Sequence, residues 1–392
     1  MIEKYLSERI KRTPSSFIRE ILKVTQKPEI ISFAGGLPNP ISFPQEELKI
    51  SMERIANNFG AKIYQYSTTI GLESLREYIV QRYNKNFGMN LSIENVIITT
   101  GSQQAQDLIG KVFVNEGDCV MVEKPSYLGL LQAFTMYGAN FVQTQLNDDG
   151  LDIEELKKTV ALKKPKVAYL IPNFQNPTGL TYSEQNRKDV FEVIKDEDMI
   201  LIQDDPYGEL RFSDEKRLPY IGQGSEKNIY LGSFSKIVTP GMRLGYAIAS
   251  KEIIRELETA KQASDLHSSI FSQYLIADYL ENNDLDKHIE KIKKLYKSQA
   301  ETMIQAMKDY FPTDVKFTVP KGGMFTWVDL GEGKSSLKLF DKAIAKQVAF
   351  VPGNPFYVNV EDTTTLRLNY TNANSETIKE GIKRLADAMK EA

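Results

Sequence analysis

The chain has 392 residues, 41% apolar and 26% charged, with a net charge of −3. That length buries a large core and predicts one large domain with a smaller companion, and the charge balance excludes a global basic field for nucleic acid. No apolar run approaches the roughly 20 residues that span a bilayer, the single Cys119 excludes an internal disulfide and fits a reducing cytoplasm, and two histidines, His267 and His288, leave no basis for a histidine-rich metal site.

In chain order, Met1-Ile2-Glu3-Lys4-Tyr5 is charged and lacks the apolar centre of a signal peptide. Pro14, Pro28, Pro38, Pro40 and Pro44 predict an arm and a short helix over residues 1–50. Asn95–Thr99 reads as a strand and Gln103–Asn115 as a helix. Further strands are predicted at Val120–Glu123, Phe141–Thr144, Val167–Ile171, Met199–Gln203, Ile229–Leu231 and Tyr246–Ala249. Cys119 adjoins one of these apolar runs and is expected to be a buried strand residue. A helix over Ser183–Lys195 opens on an imperfect capping pattern, Ser183 to Asn186. From Ile253 to Tyr310 the pattern is largely helical, with Lys291-Ile292-Lys293-Lys294 on a solvated face. Short strands return at Phe325–Val328, Ala349–Val351 and Leu366–Asn369, before a last helix near Ser375–Lys390. This alternation predicts an α/β fold: a mainly parallel sheet sandwiched by helices in a large domain, 51–285, with a small α/β domain built from 1–50 and 286–392.

Open α/β sheets bind ligands beyond the carboxyl ends of their strands. Thr99-Thr100-Gly101-Ser102-Gln103-Gln104 ends a strand and opens a helix, a setting for an anion with Ser102 adding a hydroxyl. A plain N-capped helix would look the same. Pro172-Asn173-Phe174-Gln175-Asn176-Pro177-Thr178-Gly179 is a turn by composition, in which the Asn176 amide could donate to a phenolate-like oxygen. Gln203-Asp204-Asp205-Pro206-Tyr207 ends another strand. There an acid could keep a pyridine nitrogen protonated, Tyr207 could reach the ring's hydroxyl, and a surface acid pair is the plainer alternative. Tyr127, in Lys124-Pro125-Ser126-Tyr127, could stack on an aromatic ligand or simply pack in the core. Lys236 stands in Gly232-Ser233-Phe234-Ser235-Lys236, with Arg243 downstream. Hydroxyls and a guanidinium bind phosphate oxygens, and an amine beside positive charge is a better nucleophile, so the stretch suits a Schiff-base lysine. A solvated basic loop is the alternative. Gly-x-Gly-x-x-Gly, Walker and Gly-x-Ser-x-Gly patterns do not occur in the right context.

Taken in order, Gly-Ser-Gln-Gln, Asn-Pro-Thr-Gly, Asp-x-x-Tyr, Ser-x-Ser-Lys with Arg243, and Leu366-Arg367-Leu368-Asn369-Tyr370 resemble the class I/II aminotransferases, fold type I enzymes dependent on pyridoxal 5′-phosphate. Phe33-Ala34-Gly35-Gly36-Leu37-Pro38-Asn39-Pro40 and Val351-Pro352-Gly353-Asn354-Pro355-Phe356-Tyr357 look like the branch with 2-aminoadipate, kynurenine and aromatic aminotransferases. The resemblance implies that Lys236 carries the cofactor, Asp204 holds the ring nitrogen, Asn176 and Tyr207 hold the ring hydroxyl, and Tyr127 stacks on the ring. It gives the phosphate to Ser102, Gln103, Ser233, Ser235 and Arg243. Tyr66 matches a tyrosine lent to the phosphate of the neighbouring subunit, which implies a homodimer. Arg367 matches the clamp on the substrate α-carboxylate, assisted by Gly36 and Asn176; by itself it could be a surface charge. Arg19, in Ser16-Phe17-Ile18-Arg19-Glu20, aligns with an N-terminal arginine that can meet the distal carboxylate of 2-oxoglutarate or aminoadipate in relatives; an exposed helix arginine is the alternative. Pro355 and Phe356 depart from the small residues expected in their loop, which puts the shape of the side-chain pocket in question.

The implied activity moves an amino group from an L-amino acid (2-aminoadipate, aromatic, or branched and apolar) to 2-oxoglutarate by a ping-pong mechanism. A C–S β-lyase or decarboxylase on the same fold is compatible with the same residues. A regulatory protein with an aminotransferase-like domain is the reading from another class. Such regulators carry a DNA-binding domain ahead of the match, and here the match begins by about residue 33, so we expect none.

Overall fold

The computed structural model describes residues 2–13, 21 and 27–391. Its centre is an eight-stranded sheet in the order β2-β9-β8-β7-β6-β3-β4-β5. The strands are β2 (Val96–Thr99), β3 (Cys119–Lys124), β4 (Asn140–Asn147), β5 (Gly150–Leu151), β6 (Val167–Leu170), β7 (Ile200–Asp204), β8 (Asn228–Ser233) and β9 (Gly245–Ile248). Only β9 and the hairpin strand β5 run against the others. The central strands are unbroken apolar runs because helices cover both faces. Val167 and Tyr169 face one side, with Leu108 and Ile109 of helix Gly101–Phe113. Ala168 and Leu170 face the other, with Leu156, Val160 and Val190 of helices Ile153–Lys163 and Glu184–Ile194. The Ser183 hydroxyl caps the last of these by accepting from the Asn186 N–H at 3.0 Å.

A second sheet, β10-β11-β14-β13, is antiparallel: β10 (Lys316–Phe317), β11 (Phe325–Asp329), β13 (Val351–Pro352) and β14 (Thr365–Asn369). The long helix Leu285–Tyr310 and the last helix, Ser375–Met389, pack on each other beside it. A two-stranded parallel pair, β1 (Ile31–Ser32) with β12 (Val348–Ala349), ties the start of the chain to its end. Phe33 N–H donates to Ala349 O, and Asn369 N–H donates to Phe33 O, both at 2.8 Å.

The single strand expected over Ala349–Val351 is two. β12 joins β1, and β13 joins β14. Between them Phe350 is fully buried, edge-on to Phe340 with centroids 5.5 Å apart, and the chain changes sheets there. Helix Gln45–Phe59 is continuous through residue 50. Cys119 is half-buried at the first residue of β3 rather than buried within it.

Candidate active site

The parallel register brings the chemistry together. Leu170 pairs with Gln203, and Asp204 with Leu231, so the segments after β6, β7 and β8 leave the sheet at one edge. A cleft of about 970 Å³ opens there. It is lined by Ser102, Gln103, Tyr127, Asn176, Asp204, Tyr207, Ser233, Ser235, Lys236 and Arg243, with Gly36 and Arg367 reaching it from the two ends of the chain.

Asp204 and Asp205 part company because successive strand residues point to opposite sides. Asp205 turns away, accepting from the Tyr220 hydroxyl at 2.8 Å and the Gly208 N–H at 2.9 Å. Asp204 faces the cleft, 2% exposed. Its Oδ2 accepts from the Tyr169 hydroxyl at 2.7 Å and from Gln106 Nε2 at 2.9 Å. Its Oδ1 is buried without a hydrogen-bond partner among the described residues. Burial pushes this carboxyl up to about 7, and neighbouring Asp205 adds to the rise, against the pull of Tyr169 and Gln106.

Lys236 follows β8 and is half-buried, its Nζ donating to Gly36 O at 2.7 Å. Burial, then the charges of Arg367 and Arg243, pulls its amine down to about 8. Arg367 is 2% exposed on β14. Its Nη1 donates to Asn176 Oδ1 at 2.8 Å and its Nη2 to Ala34 O at 2.7 Å. The guanidinium lies over the Phe325 ring, 4.2 Å from its centroid, and 5.2 Å from that of Phe356. Phe356 thus packs against the arginine from outside the cleft lining, where Phe325 is the nearer ring. Tyr207 is buried, its ring edge-on to Phe325 at 5.8 Å, and burial raises its phenol above the ordinary range.

At the other end of the cleft, helix Gly101–Phe113 presents its first turn beside Arg243. Gly101 has φ +73°, and a Cβ there would lie 2.8 Å from Arg243 Nη2, so only glycine lets the guanidinium approach the helix start this closely. The Gln103 side chain is already committed: Nε2 donates to Gly129 O at 2.8 Å, and Oε1 accepts from the Tyr127 hydroxyl at 3.4 Å. Its backbone N–H, with that of Ser102, belongs to the helix start that has no intrahelical acceptor.

One expected site residue, Tyr66, does not line this cleft. Tyr66 is 80% exposed and stands edge-on to His267, ring centroids 5.8 Å apart. Arg19 lies outside the described residues.

The sequence model of the family "Aminotransferase class I and II" matches residues 44–385. The chain belongs to the class I and II aminotransferases. The aromatic-amino-acid aminotransferase 1 of Thermococcus litoralis is 43% identical over 395 residues, covering 99% of this chain and 95% of that protein. The 2-aminoadipate transaminase of Thermus thermophilus is 41% identical over 384 residues, covering 97% and 95%. A crystal structure of Pyrococcus horikoshii kynurenine aminotransferase in complex with PMP superposes with a TM-score of 0.95 at 42% identity, over 100% of this chain and 98% of that one. The protein is therefore a pyridoxal-phosphate-dependent aminotransferase of fold type I.

The cleft of this aminotransferase fits that cofactor. Asp204 Oδ1, buried and without a partner among the described residues, would accept from a protonated ring nitrogen, and the Arg243 side chain over a helix N-terminus suits a phosphate. Sequence reasoning missed the two residues that hold Asp204. Gln106 sits one helical turn beyond Ser102, a spacing that carries a weak signal. Tyr169 lies inside an apolar strand, where a tyrosine reads as core. Also missed were Ile10, Thr13 and Met136, which line the same cleft; the Thr13 hydroxyl donates to Arg9 O at 2.7 Å and lies 3.0 Å from Met136 Sδ.

Proposed function

We propose that this aminotransferase takes the amino group of an L-amino acid with an aromatic, branched apolar or 2-aminoadipate side chain and passes it to 2-oxoglutarate in a ping-pong cycle. The observation that carries this reading is the pairing of a buried, preoriented Arg367 with the primary amine of Lys236 in one cleft. Ile10, Leu128, Ala133 and Met136 on its wall favour apolar side chains. The names of the relatives from Thermococcus litoralis and Thermus thermophilus support the choice of donors.

Bound pyridoxal phosphate supplies an electron sink for the negative charge at the substrate Cα. The chain's own residues do the rest. Arg367 receives the α-carboxylate on N–H groups that Asn176 and Ala34 leave over, a planar two-point contact closed to lysine. Asp204 holds a proton on the ring nitrogen, and Tyr207 and Asn176 bind the ring hydroxyl. Tyr127 covers the ring face. Ser102, Gln103 (through its backbone), Ser233, Ser235 and Arg243 hold the phosphate. Lys236 Nζ is the base: with its amine pulled to about 8, an appreciable neutral fraction exists near neutral pH to take the Cα proton.

The same reading includes a homodimer, in which Tyr66 serves the neighbouring cleft. Its supports are the exposure of Tyr66 and of the large apolar residues Leu37, Ile41, Tyr64 and Leu266. It assigns cofactor binding to 51–285 and a smaller domain to 1–50 with 286–392. Among the described residues no helix is long and apolar enough to cross a membrane; a cytoplasmic setting is read from the lone cysteine.

An amino-donor screen against 2-oxoglutarate tests the function. Glutamate should form in step with consumption of an aromatic, branched or 2-aminoadipate donor. Acceptor-independent release of ammonia with pyruvate, or of carbon dioxide, would instead identify a β-lyase or a decarboxylase.

A further inference from the structure

Glu123 is fully buried near the end of β3, behind the cleft rather than on its wall. Its Oε1 accepts from the Ile171 N–H at 2.9 Å and from the Tyr182 hydroxyl at 2.7 Å. Its Oε2 accepts from Gln175 Nε2 at 2.8 Å. Among the described residues no lysine or arginine pairs with it, so its burial is opposed only by these three donors. A buried carboxyl without a counter-ion is costly; burial raises this one to about 7 against the pull of those donors, and its acceptor oxygens have one structural use.

That use is visible in Gln175. Its Nε2 also donates to Pro125 O at 2.9 Å, while its Oε1 accepts from the Thr178 N–H at 2.8 Å and the Thr178 hydroxyl at 2.7 Å. The Thr178 N–H can only donate, so the amide cannot be turned round, and whatever faces Nε2 must be an acceptor. Pro125 lies two residues before Tyr127, and Gln175 immediately before Asn176, the acceptor for Arg367. One carboxylate therefore fixes the loop after β3 and the loop after β6 through a single side chain.

We infer that Glu123 is a positioning residue for amino-group transfer, acting through Gln175 to hold the Tyr127 ring and the Asn176 amide where the cofactor and Arg367 need them. This rests on the reading of the cleft given under Proposed function.

Glu123→Gln keeps the size, and whichever way the new amide turns, its NH2 is opposed to an N–H, that of Gln175 or that of Ile171, so the link through Gln175 is either broken or strained. Tyr182→Phe is the matched control, because it removes a donor from the same carboxylate without touching Gln175. Both variants should lower Tm. In titrations of cofactor-stripped protein, Glu123→Gln alone should raise the dissociation constant for pyridoxal phosphate about tenfold or more. It alone should also change the visible circular dichroism of the bound cofactor, and Gln175→Leu should repeat both effects should Glu123→Gln fail to fold. Borohydride reduction followed by peptide mapping locates the cofactor in each protein. Label on Lys236 with wild-type affinity and dichroism in both Glu123→Gln and Gln175→Leu would overturn the positioning role. Wild-type protein labelled somewhere other than Lys236 would overturn the reading of the cleft, and this inference with it.

Discussion

Arg367 Nη1 donates to Asn176 Oδ1 at 2.8 Å, and that bond joins the two sheets at the cleft. Arg367 belongs to β14 of the antiparallel sheet, and Asn176 to the segment after β6 of the central one. Alongside it, Gly179 has φ +73°, and a Cβ there would come within 2.5 Å of Phe325 O on β11. The loop and the strand touch backbone to backbone, which sets the height of Phe325 under the guanidinium.

Arg367→Lys tests the clamp. Lysine keeps the charge and loses the planar fork, along with the bonds to Asn176 and Ala34. We expect kcat/KM for amino donors to fall by about two orders of magnitude, equivalent to about 2.7 kcal/mol, mostly through KM. Steady-state kinetics with two donors of different side chain would check this; a loss confined to one donor would refute a contact to the shared α-carboxylate.

Capture of the cofactor by Lys236 should depend on pH in a particular sense. The amine must be neutral to attack an aldehyde, and its pKa lies near 8 instead of the usual value of about 10.4. The rate at which cofactor-stripped protein develops its visible band should therefore rise with pH and level off above about 8. Arg367→Met removes one of the two nearby charges and should move the midpoint upward. Lys236→Ala should develop no band at any pH.

Tyr169→Phe removes a hydroxyl that stabilises the ionised form of Asp204. The direction follows from the chemistry: without that donor the carboxyl, already near 7, rises further and is more protonated at neutral pH. Affinity for pyridoxal phosphate at pH 7 should weaken about tenfold and recover at higher pH, where Asp204 ionises again. Spectroscopic titration at pH 7 and pH 8.5 separates this from a general loss of packing, which would weaken binding equally at both.

Tyr66 and Lys236 should complement each other across a dimer. Homodimers of Lys236→Ala are expected to be inactive and those of Tyr66→Phe weakened in cofactor affinity. Mixing the two variants under exchange conditions should recreate one intact cleft per mixed dimer, with wild-type affinity at that cleft. If every remaining active cleft keeps the weakened affinity, Tyr66 acts within its own subunit; if Tyr66→Phe homodimers bind the cofactor normally, it has no role there.

Lys236, Asp204, Tyr207 and Asn176 were legible because each lies at, or in the loop just after, the carboxyl end of an apolar strand, and in a parallel sheet such positions converge on one edge whatever the details of packing. The same local rule located the main strands and the helix capped by Ser183. It misjudged Ala349–Val351, where nothing in the local pattern says that Phe350 divides the run between two sheets.

The order of apolar runs, turn residues and reactive groups, all local properties of the chain, determined the fold class and which strand ends carry the chemistry. Tertiary structure alone decided which polar atoms meet. Tyr169 and Gln106 hold Asp204 from 35 and 98 residues away, and Gln175 reaches Glu123 across 52. A hydrogen bond is set by angstrom-scale register between strands and loops, and residue order carries that register only through the packing of the whole sheet.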